Sequence, residues 1–283
     1  MNESQKGAFF IIVAMLIFGF YGLFVRALNL PSFVILFYNF LIAGIILVII
    51  FLVKDKSIVI VKKHIWWLLL LGFFSTLNNL FYFQAFVLTT ISNAVLTHYT
   101  APIFVAILAP FLLREKLDKL TVVALILSVF GLIVVSYNDF SFYAKDFLGI
   151  IYGTASGLMY GLVIITIKYL SQYLSIYSIN IYQSLIGALL LIPFVIRFSS
   201  IPSISTLFLL LLFALLFGVA ATLIYFAGVK RVKSQHAGIL AYSEPIAATL
   251  YAIILFSELP KLNTIIGGLL ILISGYLIII KQK

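Results

Sequence analysis

The chain has 283 residues, 64% of them hydrophobic and only 9% charged, well below the roughly 25% charged of a soluble domain. That much apolar surface does not fit inside one soluble core of this size, which points to a polytopic membrane protein. Cysteine is absent, excluding disulfides and thiolate metal sites, and the net charge of +10 has to be explained by where the basic residues fall.

Ten apolar runs are long enough to cross a bilayer, and in hydrocarbon such runs form helices because each backbone group must be paired. In chain order they are predicted at 7–26, 32–53, 65–87, 92–113, 119–137, 147–168, 174–196, 204–229, 235–257 and 262–280. The first follows Lys6 like a signal peptide, but no small-residue cleavage site succeeds it, so it is read as a retained helix. Pro31 and the break "RALNLPS" separate the first two spans. With the N-terminus in the cytoplasm, fourteen of the 18 Lys and Arg fall on the cytoplasmic side, leaving Arg26, Lys145, Arg197 and Lys261 on the other. That asymmetry is the positive-inside rule, so the basic charge sets orientation in a cell membrane, with both termini inside, and nothing suggests nucleic acid.

Shifting the sequence by 143 aligns 80–127 with the second half without a gap. The matches include Tyr82 with Tyr225, Tyr99 with Tyr242, Pro102 with Pro245 and Glu115 with Glu258. A fainter echo joins "FYGLFV" (20–25) to "MYGLVI" (159–164), pairing Tyr21 with Tyr160, and sets Tyr38 with "LIAG" beside Tyr182 with "LIGA". The expected fold is therefore all-α, with ten transmembrane helices in two inverted five-helix repeats, residues 1–139 and 146–283. An odd number of spans per repeat sends the second half in from the opposite side, as in carriers whose substrate site lies at mid-membrane between the halves.

"YTAPIFVAILAPFLLREKL" and "YSEPIAATLYAIILFSELP" share a proline-to-glutamate spacing of thirteen residues in one register. With ten spans in two repeats, these segments resemble the drug/metabolite transporter superfamily, in particular its EamA-like branch. The resemblance implies a secondary transporter that moves small metabolites, often amino acids, by alternating access, export being the expected direction. It also implies a cavity lined mainly by helices one, three, four, six, eight and nine. Where many relatives have a basic residue on helix two, this chain offers Asn39.

Glu244 lies within roughly 5 Å of the midplane, where a charged side chain costs at least about 2.5–3.5 kcal/mol. Ala237, Leu240, Ala241, Ala247, Ala248 and Tyr251 share its helical face, and that small-residue stripe suits a helix contact or cavity wall better than lipid. Two readings stand: a neutral hydrogen-bonding staple, or the group that meets the substrate. Pro245 and Pro102 release the carbonyls of Ala241 and His98, either as simple kinks or as shapers of a central cavity.

His98 is a packed hydrogen-bonder or a partner of Glu244 across the cavity. Asn78 and Asn79 on the third helix are further ligand candidates, as are Tyr82, Tyr225, Tyr21, Tyr160, Tyr99 and Tyr242. Tyr242, two positions from Glu244, faces away from it unless the kink rotates that turn. Asn39 and Gln183 read as amides that join helices. Glu115 and Glu258 read as solvated loop acids or caps of the following helix. No HExxH, GxSxG or P-loop is present, so neither an enzyme nor a self-contained ATP-driven pump is expected, and no cofactor or metal.

The expected partners are the lipid bilayer, a small-molecule substrate and protons as coupling ion, in a monomer or homodimer. A buried carboxylate without a cation suits an amine-bearing solute, most directly an amino acid, that exchanges with a proton. An uncharged metabolite, a channel, or a structural membrane protein are the alternatives.

Overall fold

Four of the ten spans are interrupted, and the interruptions follow local chemistry. The computed structural model describes residues 1–53, 62–89, 91–136, 147–197, 202–256 and 262–281. Glu258 and the basic residues Lys54, Lys56, Lys145, Lys261 and Lys283 lie outside them.

The first span is α1 (Glu3–Phe18) and α2 (Tyr21–Leu28). Asn2 and Gln5 start it with a reciprocal capping box. Gly19 lies at the break, where a Cβ would sit 2.8 Å from that of Ala247, so the ninth span can cross there. Asn29 ends α2 in the left-handed region at φ 46° and Pro31 blocks continuation, giving the two separate spans expected.

The second and third spans are unbroken: α3 (Ser32–Val53) and α4 (Ile65–Leu88). The fourth divides into α5 (Ile91–His98) and α6 (Ala101–Leu112), and the fifth is α7 (Lys119–Ser136). The sixth and seventh are α8 (Phe147–Leu170) and α9 (Ile176–Ile196). The eighth runs through α10 (Ile204–Phe213), a π-helical stretch (Ala214–Ala221) and α11 (Thr222–Arg231). The ninth divides into α12 (Ser234–Ala241) and α13 (Ser243–Phe256), and the tenth is α14 (Leu262–Lys281). The π stretch was not anticipated. Side chains take its widened carbonyls: Thr222 Oγ1 donates to the Phe217 oxygen at 2.7 Å and Asn180 Nδ2 to that of Gly218 at 3.0 Å.

Glycine sets the closest packing. On α8, Gly149, Gly153, Gly157 and Gly161 form one stripe, one residue per turn. Gly149 meets Thr89, Gly153 meets Thr97, Gly157 meets Thr100, and Gly161 meets Phe104. Without a hydrophobic force between helices in lipid, such stripes let backbones approach until dispersion contacts hold them. Outward-facing Val87, Phe111, Leu189 and Ile254 give the bundle its apolar coat.

The most extensive packed pairs follow an exchange rule. Spans one and eight touch, as do six and three; one and nine touch, as do six and four; three and seven touch, as do eight and two. Two with seven, four with nine and five with ten map onto themselves when the halves are exchanged, whereas lesser contacts such as six with nine and five with nine are not matched to the same extent. Tyr99 and Tyr242 show the rule at atomic scale. These mates, 143 apart, stack at 5.5 Å, and the Tyr242 hydroxyl donates to the Tyr99 carbonyl at 2.7 Å.

One face collects the N-terminus, the loop after α6, the end of α8 and the loop after α11. Glu3 accepts from Lys6 at 2.8 Å and from Arg231 at 3.1 Å, and these two cations hold its carboxyl below the usual range. Lys168 donates to the Lys230 carbonyl, and Lys233 lies 3.7 Å from Asp118. Glu115 does not cap the helix that follows it. Asp118 caps α7 through Thr121, while one Glu115 oxygen accepts from Ser234 N at 2.9 Å and Ser234 Oγ at 2.6 Å, capping α12 of the other half. Glu115→Ala should therefore lower the apparent melting temperature by several degrees, since hydrogen bonds to a charged group contribute about 1.5–3 kcal/mol. A melt in detergent indistinguishable from wild type would show the cap to be dispensable.

Candidate substrate cavity

Spans four and nine pack together, as do spans two and seven, and spans one, three, six and eight contact them. Residues of these spans line a partly open cavity of about 160 Å³. Its wall brings together Glu244, His98, Asn78, Asn79, Tyr82, Tyr225, Tyr21 and Tyr160 from the sequence candidates. It adds Asn39, Ser75, Gln183, Phe217 and Thr222, so spans two and seven also contribute to the lining.

Glu244 sits in the first turn of α13, directly after the break at Tyr242. Its carboxyl pairs with the Tyr99 hydroxyl. Tyr21, Tyr82, Tyr160 and Tyr225 also lie within its electrostatic range. The Tyr160 and Tyr225 hydroxyls are bonded at 3.1 Å. No lysine or arginine lines the cavity among the described residues.

His98 has a fixed position. Its Nδ1 lies 2.7 Å from Ser156 Oγ, which in turn contacts the Asn78 carbonyl at 2.9 Å and Asn78 Oδ1 at 3.0 Å. Serine has one proton and both Asn78 groups are acceptors, so His98 Nδ1 is the donor and Nε2 the free acceptor. The ring lies between those of Tyr82, 4.0 Å away, and Tyr160, 5.3 Å away. The anticipated encounter with Glu244 takes another form: both line one cavity, but among the described residues no hydrogen bond joins them. Asn78 has become part of the His98 mount, and Asn79 is bonded through Nδ2 to the Ser75 carbonyl.

Two candidates are not wall residues. Tyr242 is fully buried and pins the repeats together, as the 200° offset from Glu244 suggested, and Tyr99 stands behind Glu244 as its hydroxyl partner. The prolines act one turn early. The chain breaks at Tyr99–Thr100 and at Tyr242, ahead of Pro102 and Pro245. The His98 carbonyl released by Pro102 is covered by Gly157, where a Cβ would lie 2.7 Å from the oxygen. Ser156 and the π stretch were missed. A serine among apolar residues carries no distinguishing pattern, and a π stretch has no sequence period of its own.

The sequence profile of the EamA-like transporter family matches residues 5–137 and again 147–280. The chain belongs to that family. The EamA-like chain is 34% identical over 209 residues to an uncharacterized transporter of Archaeoglobus fulgidus, covering 72% of this chain and 73% of that one. It is 25% identical to the uncharacterized transporter YxxF of Bacillus subtilis, across 100% of this chain and 93% of the relative. A crystal structure superposes with a TM-score of 0.84 at 19% identity, covering 96% and 97% of the two chains, which establishes the shared fold. The chain is thus an integral membrane transporter with an all-α EamA fold.

Proposed function

We propose that this EamA-like transporter is a secondary carrier of a small amine-bearing solute, amino acids included, which exchanges with a proton on Glu244. The basic face is cytoplasmic in this reading and export is the direction of transport. One observation carries it: a single carboxyl faces a cavity walled by tyrosines, with no lysine or arginine in the lining among the described residues. In a low-dielectric enclosure a lone carboxylate is costly, so it is satisfied either by a proton or by a cation supplied from outside. An ammonium group fits that vacancy, and the electron-rich faces of Tyr21, Tyr82, Tyr160 and Tyr225 add cation–π attraction. Because one group takes either partner, loading the solute discharges the proton, and alternation of the pseudo-symmetric halves carries each in its own direction.

The test is binding of matched pairs, an amino acid or amine and its N-acetyl form, between about pH 5 and 8. Affinity is expected to fall toward acid pH, as protons compete for Glu244, and to vanish on N-acetylation. Equal affinity for the acetylated partner, or no loss at acid pH, overturns the exchange. Flux into liposomes that saturates separates a carrier from a channel.

A further inference from the structure

Glu244 is one hydrogen-bond acceptor on the cavity wall, and His98 is a second of a different kind. The His98 ring lines the cavity and is only 7% exposed. Its Nδ1 is engaged by Ser156 Oγ at 2.7 Å, and no hydrogen bond reaches Nε2 among the described residues. Nor is Nε2 shut away. Among the described residues, the side-chain atoms both unpaired and sealed from solvent are Asn39 Oδ1, His64 Nδ1, Gln183 Oε1 and Gln235 Oε1. Nε2 is unpaired without being sealed, so the exposed part of this buried ring includes it, and the opening it meets is the cavity.

The mount fixes what that atom can do. Ser156 gives its one proton to Asn78, so it accepts from Nδ1–H and leaves Nε2 with a bare lone pair. The rings of Tyr82 and Tyr160 lie within 21° and 13° of parallel to the imidazole and brace it from both sides. A neutral imidazole held this way accepts from the cavity and donates nothing into it, which suits a guest that brings N–H groups. Glu244 is close by through shared neighbours. The Tyr99 ring meets His98 edge-on at 5.3 Å while its hydroxyl is bonded to Glu244, and Tyr82 and Tyr160 lie within electrostatic range of the same carboxyl. An ammonium at Glu244 has further N–H groups to place, and leaving a buried one without an acceptor is unfavourable.

We infer that His98 Nε2 is the second acceptor for the solute's nitrogen, that Ser156 is the positioning residue that sets its tautomer, and that the carrier therefore selects primary and secondary amines over tertiary and quaternary ones. Cation–π attraction alone makes no such choice, because it needs only the charge. The inference rests on the reading of Glu244 given above.

The test is calorimetric binding of leucine and its N-methyl, N,N-dimethyl and N,N,N-trimethyl forms to the purified full-length protein, with the alanine and phenylalanine series alongside and N-acetylleucine as the uncharged control. Leucine and N-methylleucine are expected to bind at least about tenfold more tightly than the dimethyl and trimethyl forms. His98→Phe keeps a ring between the two tyrosines and removes the acceptor. It should shrink the step between the monomethyl and dimethyl forms to less than about twofold, whereas a step caused by bulk would persist. Ser156→Ala should shrink the same step, because Nδ1 loses its acceptor and the other tautomer becomes available. Nitrogen NMR of protein labelled in its imidazole rings reads the tautomer directly, with His98 assigned by its loss in His98→Phe or, if that variant does not fold, in His98→Gln. Nε2 should be bare in the wild type, shift on adding leucine, and stay in place with trimethylleucine. Equal affinity for the monomethyl and dimethyl forms, a step that survives in His98→Phe, an Nε2 signal that ignores leucine, or no binding on any skeleton overturns the proposal. A wild-type tautomer in Ser156→Ala overturns the positioning role. N-acetylleucine binding as tightly as leucine overturns the ammonium, and with it the reading of Glu244, while rejection of N-acetylleucine without the methylation step overturns the role of His98 alone.

Discussion

Replacing Glu244 with glutamine is expected to reduce transport at least about tenfold, the equivalent of 1.4 kcal/mol of lost transition-state stabilisation. Glutamine keeps the shape and can still meet the Tyr99 hydroxyl, but it neither holds a proton for exchange nor pairs with an ammonium. Folding should be nearly untouched, because the side chain occupies a cavity wall rather than a packed contact between helices. The measurement is flux in liposomes alongside expression and melting temperature in detergent. A glutamine variant that transports like wild type would make Glu244 a staple, and a variant that melts early would make the loss of flux uninformative about chemistry. The two readouts together therefore separate the roles that its position at mid-membrane leaves open.

The second large effect concerns folding. At Gly157 a Cβ would stand 2.5 Å from the Thr100 hydroxyl and 2.7 and 3.0 Å from the carbonyl oxygens of His98 and Thr97. Two of those neighbours are backbone atoms at the break between α5 and α6, so they cannot rotate away. Gly157→Ala should destabilise by about 1–3 kcal/mol through overpacking, and Gly157→Leu should prevent folded protein from accumulating. Gly268 supplies the control, since nothing lies within 4 Å of a Cβ there. Gly268→Ala should be neutral or stabilising by up to about 1 kcal/mol through helix propensity. Melting curves of the two alanine variants should thus shift in opposite directions. A Gly157→Ala protein as stable as wild type would mean that the two spans separate without cost.

Both expectations bear on what could be read before any coordinates. Class, span number and the breaks near Pro102 and Pro245 were legible, because hydrocarbon makes each span satisfy its own backbone and proline removes a donor. The breaks at Gly19 and in the π stretch were not, and Pro110 and Pro193 stand inside unbroken helices. The expectation of a repeat rested on rare residues agreeing in one register: two tyrosines, a proline and a loop glutamate. Glu244 and His98 stood out as ionisable groups at membrane depth for the same reason, and the fold does put them in one cavity.

Partner choice was not legible. Spans that are apolar on every side show no periodic face, so the sequence alone does not tell which side meets lipid and which meets another helix. Glycine at every fourth position of α8 is visible in the sequence, but that it receives Thr89, Thr97 and Thr100 is a property of the bundle. The same holds for Ser156 beneath His98, for Glu115 capping a helix of the opposite half, and for Tyr242 reaching its mate's carbonyl. Each of these contacts joins residues 58 to 143 positions apart. The chain by itself determined how many spans there are, because that is a local demand of backbone pairing in lipid, and it marked two of the breaks through Pro102 and Pro245. Only the tertiary structure decided which polar side chains find partners and which, like Asn39 and Gln183, keep a buried, unpaired oxygen, because a buried hydrogen bond depends on distances that local sequence does not set.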